Sequence, residues 1–537
     1  MLQRSLVVRS LVALTLVTAV ASAPSAQAQD LAPDEGAAES AMKAEIQAEA
    51  EGDDARKGPR YPGLRTFGEL SIILGAGTVW YWVERDRNVV DWDIESWRQR
   101  FSRESYRFDN NTFGMNFLGH TMSGAAYYGI ARSNGLHVGY AFLAAFLTSF
   151  TWEFALEFKE RVSLNDQTVT PSAGVAVGEG LHKLGRYLSG GRGRGRRALA
   201  WVLGPVHAIH DAKDGVDRRV GPADEFGFST IEGCVGEHCD WHRRFDLAIG
   251  VAYARAEHEP GHHGWGELRG GLELGEIPGH LAPIDTRGAI GDAPLARLSF
   301  RLATGGESPV FELDSETLLG GYRHQRLAPN PDGRLRGHAV LVGTSVAYLY
   351  RNESLGWWTD RFGMLSLPGL AFELHLAAKG SGRTRRLGLE IRGRVNGDFT
   401  GIHSGPWATW SAENLGARAK TILMREGYWY GWGASFRLDA ELTSPHTALG
   451  GRILHGRYRS QEGLDRSQER VEIDVVGTEM VLDTDVYFRA GPFGPGPEGT
   501  GLYAELAFER RGRGGRIEGV RETRSMSRGV LRLGLRR

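Results

Sequence analysis

The stretch Phe245-Asp246-Leu247-Ala248-Ile249-Gly250-Val251-Ala252-Tyr253 decides the fold. Large apolar side chains fall on every second position, with charged or small residues between them. A period of two belongs to a strand with one face against an apolar medium. The pattern recurs downstream. Leu387, Leu389 and Ile391 alternate with Gly388, Glu390 and Arg392, and Tyr428, Tyr430, Trp432, Ala434, Phe436 and Leu438 with small or polar residues. Leu502, Ala504, Leu506 and Phe508 lie opposite Tyr503, Glu505, Ala507 and Glu509, and Leu531, Leu533 and Leu535 opposite Val530, Arg532, Gly534 and Arg536. The run Leu295, Leu298, Phe300, Leu302 is less regular. Clusters of Gly, Pro, Asn and Asp separate the runs. Residues 243–537 therefore read as an antiparallel transmembrane β-barrel with one face to lipid and one to a polar lumen. About 295 residues over about 12 strands leaves roughly 24 per strand, which suits short spans joined by turns and loops. Trp265, Trp357, Trp358, Trp407, Trp410, Trp429 and Trp432 are expected in the interfacial belts. The competing fold is a large soluble β-sandwich whose polar face meets water.

The 537 residues suffice for two or three domains. Hydrophobic residues make up 41% and charged residues 24%, which excludes wholesale disorder. Glycine is abundant, 74 residues, but without a Gly-X-Y period, so the chain is not collagen-like. A formal net charge of −1 gives no footprint for nucleic acid, and none is expected as a partner. A mean hydropathy of −0.31 excludes helical spans throughout.

Upstream of the barrel the chain changes character several times. Residues 1–28 read as a signal peptide: Arg4 and Arg9, an apolar stretch from Leu11 to Ala21, and Ala26-Gln27-Ala28 before the cleavage point. Residues 29–61 read as an acidic, disordered linker. Residues 62–185 form a helical, membrane-associated domain, with apolar stretches at Phe67–Val83, Asn116–Ala131 and His137–Phe158. Each is near the lower length limit for crossing a bilayer. Residues 186–242 read as a basic connector with a short helix. Its run Gly190–Arg197 suits a flexible loop or contact with anionic headgroups. Cys234 and Cys239 are the only cysteines, and in an exported chain the close pair suggests a small disulfide loop. A metal reading there would recruit His238 and His242. The tract His258-Glu259-Pro260-Gly261-His262-His263 reads as a loop between the first two barrel strands.

The most specific stretch lies in the helical domain. It contains Asp109-Asn110, Asn116-Phe117-Leu118-Gly119-His120, Gly124, Arg132-Ser133-Asn134-Gly135, Trp152-Glu153, Glu157, Ser163-Leu164-Asn165-Asp166, Thr170-Pro171, Gly174 and Gly178-Glu179. This spaced set resembles the bacterial domain of unknown function 3943 family, an envelope protein group. Where that family often has Pro after the histidine, this chain has Thr121. The order also resembles, more distantly, VanZ-type membrane domains over residues 108–179. Neither resemblance implies a reaction.

Glu153 and Glu157, four apart, share a helix face in apolar surroundings and need a counter-charge, a metal or a proton. His120, Arg132 and Lys159 are the nearest candidates. Asp166, in a turn-like segment, is a candidate cap for the next helix. Gly174 and Gly178 suit a close helix contact or turns. Either His120, Glu153, Glu157 and Asp166 form a cation or acid/base site, or they form a polar network that fixes helix packing. No metal ligand set and no cofactor are assigned. The expected protein is an exported outer-membrane barrel with a structural or lipid- or solute-handling role. Its expected partners are outer-membrane lipid or lipopolysaccharide, the barrel-assembly machinery, and a small solute or lipid ligand. The alternatives are a membrane-embedded enzyme acting on lipid or cell-wall intermediates, and a soluble periplasmic binding protein.

Overall fold

The computed structural model describes residues 61–84, 99–102, 105–109, 111–157, 161–219, 230–231, 234, 238–257, 262–304, 310–329, 335–354, 358–379, 386–417, 419–461, 475–491 and 501–536. The signal peptide and nearly all of the acidic linker lie outside them, as do Asn110, Lys159, Trp357 and residues 258–261.

The helical part comprises α1 (Pro62–Glu84), α2 (His120–Ser133), α3 (Val138–Thr151), α4 (Leu164–Ser189), α5 (Arg194–Leu203) and α6 (Pro205–Asp214). A π-helical turn, Gly114–Gly119, leads into α2, and another, Trp152–Leu156, extends α3. Two short strands, β1 (Tyr106–Arg107) and β2 (Val162–Ser163), pair in parallel. Helix α4 runs past the expected boundary at 185, and the expected connector contains α5 and α6. Arg194–Arg197 is therefore the first turn of α5, not a loop. Cys234 and Cys239 are joined by a disulfide.

The barrel strands are β3 (His242–Ala256), β4 (His263–Gly275), β5 (Asp285–Ile290), β6 (Leu295–Thr304), β7 (Val310–Pro329), β8 (Leu335–Ser354), β9 (Thr359–Lys379), β10 (Arg386–His403), β11 (Tyr428–Thr443), β12 (Thr447–Ser460), β13 (Gly477–Ala490), β14 (Gly501–Ile517) and β15 (Val520–Arg536). Among the described residues, twelve of them close a ring, β3-β4-β6-β7-β8-β9-β10-β11-β12-β13-β14-β15, with β15 returning to β3. Strand β5 prolongs the line of β6 along β7. The closed, antiparallel sheet overturns the sandwich alternative.

Contacts between non-adjacent strands identify the interior. Arg351 on β8 reaches Asp483 on β13 at 2.8 Å, and Arg513 on β14 reaches Asp360 on β9 at 2.6 Å. Arg437 on β11 meets Asp314 on β7 at 2.8 Å, and Arg244 on β3 meets Glu390 on β10 at 3.0 Å. Only a path through the lumen makes these pairs. The alternate positions face outward, and Ile249, Val251, Leu506, Phe508, Leu531 and Leu533 are exposed there. This is the apolar outer wall of a membrane barrel.

The tryptophans depart from the expected belts. Trp429 alternates with outward Tyr428 and Tyr430, so strand parity turns it into the lumen. Trp265 packs beside inward-facing Ala252 and Ala254, with Trp358 in the same cluster. Trp407 and Trp410 stack on each other in α7 (Trp407–Glu413), which with α8 (Thr421–Glu426) makes up much of the β10–β11 connection. Of this set, Trp432 is the one on the outer wall among the described residues.

Helix α4 does not enter the lumen, whereas Trp410 of α7 and Leu423 of α8 pack on the inward-facing Trp429, Leu454 and Tyr458. Asp314 and Glu316 point inward, so Ser315 and Thr317 point outward, and both donate to the Ala176 carbonyl of α4, Thr317 at 3.1 Å. Helix α4 therefore lies on the outer wall over β6–β8, with Gly180 against Leu298. Helices α2 and α4 cross at bare backbone: a Cβ on Gly124 would sit 1.7 Å from the Thr170 carbonyl oxygen, and one on Gly174 2.6 Å from Gly124. Gly178 meets Ala125 and Tyr128 in the same way. Gly124→Ala is expected to cost about 1–3 kcal/mol by overpacking. Gly129→Ala, on the same helix with nothing within 4 Å, provides the control. Thermal melting followed by helical circular dichroism should separate the two, and equal melting would refute the crossing.

Candidate functional site

The motif stretch forms a seam between the helices and the outer wall. Phe117 rests on a notch made by two glycines paired across β9 and β10, Gly363 and Gly401. A Cβ on either would lie 2.2 Å or 2.1 Å from the Phe117 ring. The ring stacks on Phe113 and Phe399, and Phe108 packs between Phe399 and Tyr430. Tyr348 donates to the Phe117 carbonyl. Asn116, fully buried, donates to the hydroxyls of Tyr428, at 3.0 Å, and Tyr430. Thr121 donates its hydroxyl back to the Phe117 carbonyl at 2.6 Å.

A polar group sits beside this anchor. Ser163, not Asp166, caps α4: its Oγ accepts from the Asp166 N–H at 3.3 Å. The cap falls to Ser163 because it is the last extended residue of β2. Asp166 thus lies inside the first turn, where its Oδ1 accepts from Asn165 Nδ2 at 2.6 Å. Asn165 Oδ1 accepts from the Asp109 N–H at 2.9 Å and from Ser163 Oγ at 2.8 Å. Asp109 accepts from the Asn111 side chain at 2.7 Å. Glu153, 2% exposed, accepts from the Ser163 N–H at 3.1 Å, while Arg100 donates to the Glu153 carbonyl.

His120 closes the group. Its Nε2 lies 3.1 Å from Asp166 Oδ1, off the line of a hydrogen bond, and that buried nitrogen has no hydrogen-bond partner. Asp109, His120 and Asp166 place one ligand atom each within 4.8 Å of the others. Such a set can exchange a proton between imidazole and carboxylate, or offer one nitrogen and two oxygens to a cation. Asp109 entered the sequence reading only as a motif residue. The signal that links it to His120 is the Asp109–Asn165 hydrogen bond, between residues 56 apart in the chain.

The remaining motif residues build a second cluster at the other end of α4. Glu179, with no exposed surface, accepts from Arg132 Nε at 2.9 Å and Tyr128 at 2.6 Å, and lies 3.3 Å from Lys183. Arg132 also holds Asp292 at 2.9 Å, and Asp292 accepts from the Val138 N–H at the start of α3. Asp292 and Ala293, at φ +58° and +54°, form the break between β5 and β6. Asn134 donates to Glu69 of α1 at 2.8 Å, and Gly135 (φ +85°) ends α2. Trp152 packs on Gly77 of α1, and Thr170 and Pro171 lie buried inside α4 at the helix crossing.

Residues 105–206, which carry the motif stretch, match a known family model. The match is to DUF3943, a domain of unknown function. No curated protein matches the chain. Similar solved structures include a Pseudomonas aeruginosa FadL homologue, with 11% identity, 55% of this chain and 90% of that one covered, and a TM-score of 0.20. The outer membrane protein OpdK from Pseudomonas aeruginosa gives 11%, 55%, 99% and 0.18. The translocator domain of the autotransporter NalP from Neisseria meningitidis gives 12%, 57%, 90% and 0.18. Such superpositions are partial, and the barrel rests on its own strand pairing.

Truncating one partner of a buried charge pair costs about 3–5 kcal/mol. Arg132→Met is therefore expected to loosen the helices while the barrel, held by its own ion pairs, persists. Limited proteolysis should cut the helical part of the variant, with heat-modifiable gel mobility retained. A variant as resistant as the parent would refute this role for Arg132.

Proposed function

We propose that this protein is an outer-membrane barrel that works from its lipid-facing side, handling lipid, with the barrel as scaffold and the His120 group as the working centre. The observation that carries the reading is the position of that group: on the outer wall, among helices, and not in the lumen. The lumen is crossed by ion pairs at several heights, Arg244–Glu390, Arg437–Asp314, Arg351–Asp483 and Arg513–Asp360. They leave a cavity of about 200 Å³ lined by charged residues such as Arg244, Glu273, Arg297 and Arg489. A solute path through it would have to break buried charge pairs.

The helices have the surface that such a role needs. Val138–Leu156 is long and apolar enough to cross a membrane, and its 19 residues rise about 28 Å. Tyr140, Leu143 and Leu147 on it, and Leu64, Phe67, Ile72 and Val79 on α1, are exposed beside the barrel wall. If the rim that holds the start of β3 and the end of β15 faces the periplasm, the His120 group lies toward the outer leaflet and its lipopolysaccharide. The second reading, an enzyme acting on lipid or cell-wall intermediates, is favoured by the His120–Asp166 contact at 3.1 Å. The sequence order that resembles VanZ-type membrane domains falls on these same residues.

The test combines two measurements on the full-length protein extracted from membranes. Native mass spectrometry is expected to find co-purifying lipid that is depleted at least about tenfold in His120→Ala and Asp166→Asn. Planar bilayers are expected to show no sustained conductance. Ohmic channels, or lipid content indifferent to both substitutions, would overturn the proposal.

A further inference from the structure

A second chemical cluster sits inside the barrel, at the rim where β4 turns into β5. Glu373 and His375 both point inward from β9, and His280 folds toward them from the turn after Gly275. One ligand atom from each of His280, Glu373 and His375 lies within 4.8 Å of the other two. Both ring nitrogens of His280 are buried and neither has a hydrogen-bond partner. A buried imidazole with both nitrogens unsatisfied is costly unless something else occupies one of them.

The surroundings hold these side chains in place. Gln325 pins the turn with its whole amide: Nε2 donates to the Gly279 carbonyl at 2.9 Å and the Ala282 carbonyl at 2.8 Å, and Oε1 accepts from the Leu281 N–H at 3.0 Å. Leu281 takes φ +59° there. Arg297 holds Glu373 through Oε2, which leaves Oε1 for a ligand position. His375 directs Nε2 toward that same Oε1, while its Nδ1 lies 3.9 Å from Glu390. A carboxylate behind a ligating histidine is the usual support of a metal site. His242, held on Glu273 at 2.6 Å, stands edge-on to His280 with ring centroids 4.7 Å apart.

We propose that His280, His375 and Glu373 bind one divalent transition-metal ion of the zinc class, tying the β4–β5 turn to β9 across the mouth of the lumen. Two imidazoles and one carboxylate suit such an ion and leave a fourth position for water. With bonds of about 2.0–2.1 Å, ligand atoms stand roughly 3.3 Å apart in a tetrahedron, so the Glu373–His375 contact opens modestly on binding. This site is independent of the His120 group and of the function proposed for it.

The experiment uses the full chain in detergent micelles, stripped with chelator and retitrated with Zn²⁺ by calorimetry and with Co²⁺ by visible absorption. One equivalent per chain is expected, with the intense Co²⁺ bands of a low-coordinate nitrogen and oxygen site. His280→Ala and His375→Gln should each weaken binding by about 100-fold or more, beyond what loss of a supporting partner costs. His120→Ala should bind like the parent. Heat-modifiable mobility establishes that each variant retains its barrel, and His375→Gln decides the matter if His280→Ala does not fold. Failure of the folded parent to bind at millimolar metal would overturn the site. So would binding that survives the His280 and His375 changes, or that vanishes with His120→Ala.

Discussion

The closed ring of charge pairs across the lumen is the constraint on which the other features depend. A barrel interior crossed by Arg351, Arg513, Arg437 and Arg244 with their carboxylates offers no apolar surface along these pairs to helices such as α2, α3 and α4. The apolar helices therefore have the outer wall as their packing surface. Burying so many charges is favourable only because each is paired, often more than once, as Arg513 is by Asp360 and Asp483. The barrel is thus rigidified from within and left free to carry something outside.

That attachment is made by shape more than by charge. Two facing glycines empty a notch in the wall, Phe117 fills it, and aromatic residues on β8, β10 and β11 surround the ring. The same economy of side chains lets α2 and α4 meet backbone to backbone. In lipid, where apolar contact between helices has no hydrophobic driving force, such close approach supplies dispersion energy that bulky residues cannot. The Arg132–Glu179 cluster at one end of α4 and the His120 group at the other then fix the helix along the wall. It also explains the break between β5 and β6, since Asp292 leaves the strand line to meet Arg132 and the start of α3.

Much of this was legible because periodicity is a local property. Alternation along Phe245–Tyr253 and Leu502–Phe508 identifies strands and their lipid face without knowledge of any partner strand. Glycines four apart at Gly174 and Gly178 left a helix contact and turns both open, and the structure makes them a helix contact. Tryptophan placement was misjudged because an aromatic residue alone does not reveal its parity: Trp429 and Trp432 are three apart and so face opposite sides of the same strand. The His280, Glu373 and His375 cluster was invisible for a related reason. His280 lies more than 90 residues before Glu373 and His375, in a different element, and no spacing rule connects it to them.

The sequence by itself determined the division of the chain into a helical part and a closed sheet. It also set the lipid-facing side of the strands whose alternation it shows, such as Phe245–Tyr253 and Leu502–Phe508, and the residues of the motif stretch. These follow from the period of two, the helical period and the small residues at contact positions, all set by covalent geometry. Which wall α4 lies against, that ion pairs cross the lumen, and that Asp109 joins His120 and Asp166 were decided only by the tertiary structure. Those outcomes depend on strand stagger and closure, which set the neighbours of each side chain across the ring and are written in no single segment.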